Sequence, residues 1–251
     1  MSLPHTDTPS VATAGHRIDA ERVRILEEYA RRERDIDRTK YARWQPEIAL
    51  MVGTTRRVAA RMLNERRVFP DRSTRCLEVG HGAIGWLGDL MTWGVPERNI
   101  HGIEVDPRRA GIAREAMPAA DIRVGDASSL PWADESFDLV IVSAVFTSIL
   151  DAAVRRQVAR EITRVLAPGG ALLWYDFAWN NPSNAHVRRV SRREVGDLFP
   201  GLGGDLRSIT LAPPIARVVA PVSWLAATAL EAIPFLRTHL MGVLIKEQAG
   251  A

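Results

Sequence analysis

Short apolar runs alternate with amphipathic segments through the middle of the chain. Five runs have the length and composition of buried strands, and helical patterns lie between most of them: TRCLEVG, NIHGIEV, DIRVGD, FDLVIVSAV and GGALLWYDF. This alternation predicts a doubly wound parallel sheet. Such sheets bind ligands beyond the carboxyl ends of their strands, so we expect the functional residues directly after each run.

The flanking regions complete the predicted α/β fold. Helical spacing predicts two helices, over residues 18–34 and 47–65, before the first run. After the last run, LRSITLAPP and HLMGVLIKE predict two closing strands, and the long apolar stretch between them predicts a buried or interface helix rather than membrane contact. We therefore predict a mostly parallel, seven-stranded sheet, with a disordered tail over 1–16, a helical cap or lid over 17–68 and the core over 69–251.

Composition adds few constraints to this picture. The 251 residues suit one domain with an appended cap, and the net charge of +3 is too mild to demand a nucleic-acid partner. The single cysteine, Cys76, cannot form an internal disulfide and lies in an apolar run. The polar start lacks the pattern of a secretory signal and the apolar stretch is interrupted by charge, so we expect a cytoplasmic protein without stable membrane insertion.

A glycine-rich stretch, LEVGHGAIGWL, follows the first predicted strand. Gly80, Gly82 and Gly85 match the literal GxGxxG of a nicotinamide-dinucleotide loop, but Glu78 stands at the strand end beside whatever the loop holds. A carboxylate there would oppose a pyrophosphate and favour a cationic ligand such as S-adenosylmethionine (SAM). One pair of unit charges is worth about 4 kcal/mol at roughly 4 Å and an effective dielectric constant near 20. The balance of charge therefore favours SAM over NAD.

Two further acids follow predicted strands. Glu104 ends the second run, 24 positions after Gly80, and can accept hydrogen bonds from both hydroxyls of a ribose. Asp126 follows the third run and can accept from an adenine amino group, with Ala127 beside the base. Both acids predict an adenosyl cofactor, although a ribose is common to SAM and NAD.

The segments LEVGHGAIGWL, GIEVD, GDASSLPWADESFDLVI and RVLAPGGALLWYDF resemble, in order and spacing, the motifs of class I SAM-dependent methyltransferases. The match covers residues 75–176, with one departure: the third loop glycine of the family falls where this chain has Ile84, one position before Gly85. The resemblance implies a Rossmann-like fold and SAM as cofactor, with S-adenosylhomocysteine as product. The cofactor-binding residues that it implies, together with those predicted above, are Glu78, Gly80, His81, Gly82, Gly85, Trp86, Glu104, Val105, Asp126, Ala127, Ser143 and Ala144.

Methyl transfer is an in-line displacement, so a base is needed only for weakly acidic nucleophiles. Asp176 and His186, after the fifth predicted strand, are the candidate bases. The segment after the fourth strand lacks the signature of amino-methylating nucleic-acid enzymes. Metal-assisted methylation would want an acid after the fourth strand and an Asp-Asn pair after the fifth, where this chain has Ser143 and Asp176-Phe177, so we predict no metal.

The loop after the fifth strand is rich in aromatic and amide side chains, and the chain from there onward resembles, more loosely, methyltransferases of bacterial glycan and natural-product pathways. We therefore predict O-methylation of a small polyhydroxylated acceptor. The alternatives are an NAD-dependent oxidoreductase and a nucleic-acid methyltransferase, and the apolar carboxyl-terminal segment allows a homodimer. The predicted substrate-binding residues, of which the first two are candidates for a lid, are Tyr41, Trp44, Phe146, Tyr175, Asn180, Asn181 and His239.

Overall fold

A computed structural model describes residues 11–180 and 184–248 of the chain. Its helices are α1 (Val11–Asp35), α2 (Pro46–Glu65), α3 (Leu87–Thr92), α4 (Pro107–Ala116), α5 (Ala152–Val165), α6 (Arg192–Leu198), α7 (Pro213–Val219) and α8 (Trp224–Glu231). Its strands are β1 (Cys76–Val79), β2 (Ile100–Glu104), β3 (Asp121–Val124), β4 (Phe137–Ser143), β5 (Leu166–Phe177), β6 (Leu202–Leu211) and β7 (Arg237–Lys246). All seven predicted strands are present.

The strands form one sheet in the order β3-β2-β1-β4-β5-β7-β6. The pairings from β3 to β5 are parallel, whereas β7 is antiparallel to both β5 and β6. The sheet is therefore mixed, and the prediction of a mostly parallel sheet was wrong. The apolar pattern of a buried strand is the same for either direction of the chain, so it could not reveal that β7 returns between β5 and β6.

Helices cover both faces of the sheet. On one face, α2 and α3 bury a cluster that includes Leu63, Leu90 and Trp86. On the other face, α5 and α6 pack over Phe146 and Trp174, which lie in contact with each other. Burial of this apolar surface is the main favourable term in folding, and it fixes the carboxyl ends of β1 to β5 at one edge.

The long apolar stretch between β6 and β7 is not a single helix. The short helices α7 and α8 are separated at Ala220–Ser223, where Pro221 lacks the backbone N–H that helix hydrogen bonding needs. The Ser223 side chain then accepts a hydrogen bond from the Ala226 N–H and so caps α8. Among the residues that the structure describes, no helix is long and apolar enough to cross a membrane.

The first helix is longer than its sequence pattern predicted. It begins at Val11, inside the predicted disordered tail over 1–16; residues 1–10 lie outside the described part of the chain. Ile18 and Ile25 on α1 pack against the apolar cluster beneath α5. This packing lays α1 across the edge of the sheet instead of leaving it in solvent.

A small residue is required at Gly242, where β7 pairs with Leu206 of β6. A Cβ on Gly242 would lie 2.6 Å from Leu206 Cδ2 and 2.9 Å from the Asp205 carbonyl oxygen. We expect Gly242→Ala to lower the free energy of unfolding by about 1–3 kcal/mol through overpacking. Thermal unfolding followed by circular dichroism should show a lower Tm, by roughly 2–4 °C per kcal/mol. Gly203→Ala is the matched control because nothing lies within 4 Å of its added Cβ, and equal Tm values for the two variants would contradict the expectation.

Candidate active site

The glycine loop turns from β1 into α3 at the carboxyl edge of the sheet. Gly80, Gly82 and Gly85 have positive φ angles of 69°, 62° and 53°, a region that side chains disfavour. The Gly80 N–H donates to the carbonyl oxygen of Ile103 on β2, and a Cβ on Gly80 would lie 2.6 Å from Val145 Cγ2. The loop therefore passes close to β2 and to the end of β4 without side chains of its own in the way.

Glu78 lies beneath this loop rather than beside a ligand. Its side chain is 1% exposed, and its Oε2 accepts hydrogen bonds from the backbone N–H groups of Trp86 and Leu87 at 2.8 and 3.0 Å. These groups belong to the amino-terminal turn of α3, which attracts a carboxylate. Burial raises the pKa of Glu78 to about 8. The predicted contact of Glu78 with a cationic ligand is thus replaced in the structure by capping of α3.

Two other loop residues that we predicted to bind the cofactor also point into the protein. His81 is 2% exposed, it packs against Gly102, and neither ring nitrogen finds a hydrogen-bond partner among the described residues. Burial lowers its pKa to about 4. The Trp86 indole is buried in the apolar cluster below the loop, and the Arg56 guanidinium lies 3.6 Å above its ring centroid. Both side chains shape the loop from below.

Glu104, in contrast, lines a cleft above the loop. Its Oε2 accepts from the Gly82 N–H at 2.8 Å and its Oε1 from the Asp106 N–H at 3.0 Å, while Val105 lines the cleft beside it. Burial raises the pKa of Glu104 above its usual range. The carboxylate therefore joins the glycine loop to the end of β2 at the place where a ribose was predicted.

The far wall of the cleft comes from the turn after β3. Asp126 and Ala127 both line it, as does Gly125. The Asp126 Oδ1 accepts a hydrogen bond from the Ser128 N–H at 2.6 Å, which fixes the direction of the carboxylate. Contact of these residues with an adenine stays a prediction.

The end of β4 closes the cleft towards β5. Ser143 ends the strand, and Ala144 and Val145 line the cleft. Ala144 has a φ of 56°, and its N–H donates to the Tyr175 carbonyl oxygen at 2.8 Å. A residue other than glycine in this conformation is uncommon. The turn at Ala144 thus places the backbone that follows β4 between the cofactor cleft and β5.

Residues that the sequence did not single out complete the cleft. Glu21, Arg22, Ile25 and Tyr29 of α1 line it from above. Under α1 the cavity has a volume of about 80 Å³, below the roughly 300–1,000 Å³ of small-molecule sites. The apolar spacing on α1 predicted a helix, but no local signal indicated that this helix lies over the cleft.

The charge of this cleft suits SAM, while its volume with α1 in this position is smaller than that of a small-molecule site. Three acids, Glu21, Glu104 and Asp126, line it with a single base, Arg22, and this charge suits a cationic sulfonium and ammonium better than a pyrophosphate. Ile103 and Ile149 add apolar walls for a planar base. In addition, the missing Cβ of Gly80 leaves the floor open to a closely approaching ligand.

A second cavity of about 430 Å³ opens beyond β5 at the same edge, and we call it the acceptor cavity. Three of the predicted substrate-binding residues line it: Tyr41, Asn180 and His239. Its remaining lining consists of Glu47, Ile48, Met51, Phe177, Trp179, Leu211, Ala212, Pro213, Pro214, Ala216, Arg217 and Thr238. Most of these side chains are apolar.

His239 is the buried titratable group of the acceptor cavity. Its ring stacks on Tyr175 with centroids 4.9 Å apart and contacts the Phe177 ring at 3.9 Å. Its Nδ1 lies 3.0 Å from the Thr238 hydroxyl oxygen. Burial lowers the pKa of His239 to about 3, so the imidazole is neutral near pH 7. A neutral imidazole offers one donor and one acceptor nitrogen.

Tyr175 supports His239 instead of lining the cavity. Its hydroxyl lies 3.0 Å from the Thr210 hydroxyl oxygen, and burial raises its pKa. Thr210 has a φ of 67° and is skipped in the pairing of β6 with β7. A β-branched residue in this conformation is strained. The irregularity turns the Thr210 hydroxyl towards Tyr175.

The two predicted bases do not reach the acceptor cavity. The Asp176 side chain is 1% exposed, and its oxygens accept from the N–H groups of Thr147 and Phe177 at 3.0 and 2.8 Å. Burial raises its pKa to about 7, but geometry precedes pKa in the choice of a base. His186 lies 3.6 Å from a carboxylate oxygen of Glu28 on α1 and lines neither cavity.

The remaining predicted substrate-binding residues lie elsewhere. Phe146 is fully buried with Trp174 and Phe199 in the apolar cluster beneath α5. Trp44 is 74% exposed and lines neither cavity. Asn181 lies outside the described residues. Spacing along a loop after a strand does not determine which way each side chain points, and this explains these differences.

Comparison with known proteins identifies the family of the chain. A family model described as a methyltransferase domain matches residues 77–174. A demethylmenaquinone methyltransferase of Roseiflexus castenholzii is 30% identical over 169 residues, covering 65% of this chain and 68% of that protein. The chain spans 66% of a second Roseiflexus relative and 54% of the matched Listeria proteins.

Solved structures share the fold at low sequence identity. A putative sarcosine dimethylglycine methyltransferase from Galdieria sulphuraria has a TM-score of 0.61 at 18% identity, covering 80% of this chain and 88% of that one. Geranyl diphosphate C-methyltransferase from Streptomyces coelicolor A3(2), solved with S-adenosyl-L-homocysteine, has a TM-score of 0.57 at 15% identity, covering 77% of each chain.

A seven-stranded α/β sheet with a glycine loop and an acidic cleft at its carboxyl edge defines a Rossmann-like nucleoside-binding enzyme. The chain belongs to the class I SAM-dependent methyltransferases. Its cofactor is S-adenosylmethionine, as the sequence motifs predicted.

The buried carboxyl of Glu78 should make stability depend on pH. Its pKa in the folded protein, about 8, lies above the ordinary value of 4.5, so its contribution is fully present below about pH 4.5 and is lost as the pH rises through about 8. Glu78→Gln keeps an oxygen for the two N–H groups but cannot ionise. We expect urea unfolding to show that the free energy of unfolding of the variant rises relative to that of wild type as the pH increases from about 4.5 to about 8. A difference that is constant with pH would contradict this expectation.

Glu104 should contribute to cofactor affinity. In Glu104→Gln the side-chain amide loses the charge and offers an acceptor to only one of the two N–H groups now bound, those of Gly82 and Asp106. A hydrogen bond to a charged group is worth about 1.5–3 kcal/mol, so we expect SAM affinity to fall by roughly 10- to 150-fold in calorimetric titration. Glu115→Gln, on the exposed side of α4, is the control. Unchanged affinity of Glu104→Gln would remove Glu104 from the cofactor site.

Proposed function

We propose that the protein methylates a largely apolar small molecule that carries a ring hydroxyl or an enol. The observation that carries this proposal is the chemistry of the acceptor cavity, in which apolar side chains surround one buried neutral imidazole, His239. An apolar cavity with few polar groups binds hydrophobic ligands and orients them through those groups. His239 is the group placed to recognise a hydroxyl.

The polyhydroxylated acceptor that the sequence predicted suits this cavity less well. The polar side chains Tyr41, Asn180 and Arg217 are exposed at its rim, whereas Leu211 and Ala216 are buried in its wall. A buried hydroxyl without a partner costs about 1–3 kcal/mol, and a sugar would bring several. The place of this chain in a glycan or natural-product pathway stays a prediction.

Two of the similar proteins have names that support an apolar acceptor, whereas a third is named for sarcosine and dimethylglycine. The first two names refer to demethylmenaquinone and to geranyl diphosphate, and both molecules carry isoprenoid chains. The latter protein is named as a C-methyltransferase. In a phenol or enol, both the oxygen and the neighbouring carbon become nucleophilic as the hydroxyl proton is withdrawn. The same site therefore suits O- or C-methylation, and the predicted O-methylation stays a prediction.

The residues of the chain have distinct tasks in this reaction. SAM supplies a methyl group made electrophilic by its sulfonium. Because the His239 Nδ1 is engaged by Thr238, Nε2 is the ring atom for the acceptor hydroxyl. The rings of Tyr175 and Phe177 hold the imidazole in place. In the tautomer whose Nδ1–H donates to the Thr238 hydroxyl, Nε2 accepts from the acceptor hydroxyl and orients it, and alignment supplies the rest of the rate.

His239→Phe tests the proposal because phenylalanine keeps the stacked ring and removes both nitrogens. We expect kcat/KM for ring-hydroxyl acceptors to fall roughly 5- to 150-fold, the cost of a buried hydroxyl left without a partner. The affinity for SAM should not change, because His239 does not line the cofactor cleft. Release of S-adenosylhomocysteine, measured over a panel of hydroxylated aromatic rings and sugars, gives the turnover.

Asp176→Asn provides the comparison, since the amide oxygen can still accept from a backbone N–H group. We expect its turnover to stay within a few-fold of wild type. If instead Asp176→Asn abolished turnover with SAM affinity intact and His239→Phe did not, Asp176 would be the base that the sequence predicted. Turnover of sugars without turnover of ring hydroxyls would overturn the apolar acceptor.

A further inference from the structure

The segment between β6 and β7 exposes large apolar side chains that the site does not use. Val218, Val222, Leu225 and Phe235 are 72%, 85%, 81% and 79% exposed, and Trp224 is 52% exposed. We call these five residues the apolar wedge. Exposed apolar side chains concentrated on one segment, rather than scattered singly, indicate an interaction surface.

In this segment the basic side chain is exposed to solvent and the acidic side chain is buried. Between residues 213 and 236 the only charged side chains are Arg217, which is exposed, and Glu231, which is 8% exposed. The Glu231 carboxylate accepts from the Thr54 hydroxyl at 3.0 Å and lies near the Leu211 N–H. The solvent-facing part of the segment therefore carries no acid, and an anionic surface would meet no repulsion there.

A groove lined by arginines lies beside the wedge, between α2 and α8. It has a volume of about 270 Å³, and four arginines line it together with the buried Glu231: Arg57, Arg61, Arg207 and Arg237, the last of which donates to three backbone carbonyl oxygens. Glu65 pairs with Arg61 and Arg207 near its edge. We call this cavity the basic groove. Four arginines against two carboxylates, those of the exposed Glu65 at the edge and the buried Glu231 in the lining, favour an anionic group such as a phosphate.

The wedge and the groove meet on α8. Thr228 lines the groove, and its hydroxyl donates to the carbonyl oxygen of Trp224 one turn earlier. Residues four positions apart share a helix face, so Trp224 of the wedge lies one turn from Thr228 of the groove. On the other side, α7 places Arg217 at the rim of the acceptor cavity and Val218 in the wedge. Wedge, groove and cavity rim are therefore neighbouring parts of one surface.

We propose that the apolar wedge and the basic groove form a peripheral docking surface for a bilayer that contains anionic phospholipid. Insertion of the wedge into the acyl region and binding of lipid phosphates by the arginines use both kinds of side chain at once. Docking would turn the acceptor cavity towards the membrane, the phase in which apolar acceptors concentrate. The inference goes beyond the proposed function, because lipid binding is measured without any acceptor.

Cosedimentation of the full chain with vesicles tests the surface. We expect binding to vesicles of equal parts phosphatidylcholine and phosphatidylglycerol, and weaker binding to phosphatidylcholine alone. Leu225→Ser with Phe235→Ser should abolish binding to both, since these side chains supply the inserted area. Arg57→Gln with Arg61→Gln should weaken binding to the anionic vesicles about fivefold per arginine, and binding to phosphatidylcholine should stay the same.

The controls are Ile112→Ser on α4 and Arg160→Gln on α5, both exposed and away from this surface. All variants should keep wild-type SAM affinity. His239→Phe should bind vesicles normally, so loss of the proposed activity and loss of docking are distinguishable. Absence of wild-type binding to either vesicle would overturn the proposal. It would also be overturned if light scattering showed a dimer that the Leu225→Ser, Phe235→Ser variant dissociates, because the wedge would then bind a second copy of the chain.

Discussion

The hydrogen bonds that the buried Glu78 carboxyl accepts from the first turn of α3 hold the cofactor edge of the molecule together. They require the glycine at position 85, because a Cβ there would lie 2.4 Å from Glu78 Oε1. Above them, Arg56 on α2 donates to the Gly85 carbonyl oxygen and to Asp89. Hydrogen bonds to Glu78 of β1 and from Arg56 of α2 therefore hold the loop in place, and the floor of the cleft depends on both elements.

The end of β4 divides this edge into two environments of different polarity. On one side lie the acids of the cofactor cleft, and on the other the apolar acceptor cavity. The hydrogen bond from the Ala144 N–H to the Tyr175 carbonyl oxygen joins the two sides, and Tyr175 in turn carries the His239 ring. The strained backbone at Ala144 and Thr210 lies where the two environments meet.

Local sequence predicts what depends on local periodicity. The strands, the glycine loop and the strand-end positions of Glu104 and Asp126 followed from spacing, since parallel strands present their carboxyl ends at one edge. The direction of β7 did not follow, because apolar patterning is blind to it. The sequence pattern likewise did not predict which way individual side chains point, because spacing along the chain does not determine it. Glu78 and Asp176 are acidic residues at the expected strand ends, yet backbone N–H groups that only the folded chain brings near hold both carboxyls inside the protein, and burial raises the pKa of each.

The position of α1 has a kinetic consequence. Glu21 accepts from the Leu150 N–H and Arg24 donates to the Ser148 carbonyl oxygen, so the helix is tied to the turn after β4. Helix α1 lies over the cofactor cleft, so exit of the spent cofactor past this helix would require these bonds to break. Movements of this kind limit turnover in many enzymes. The first turnover would then be faster than those that follow, and a burst of S-adenosylhomocysteine before the steady state would be its signature.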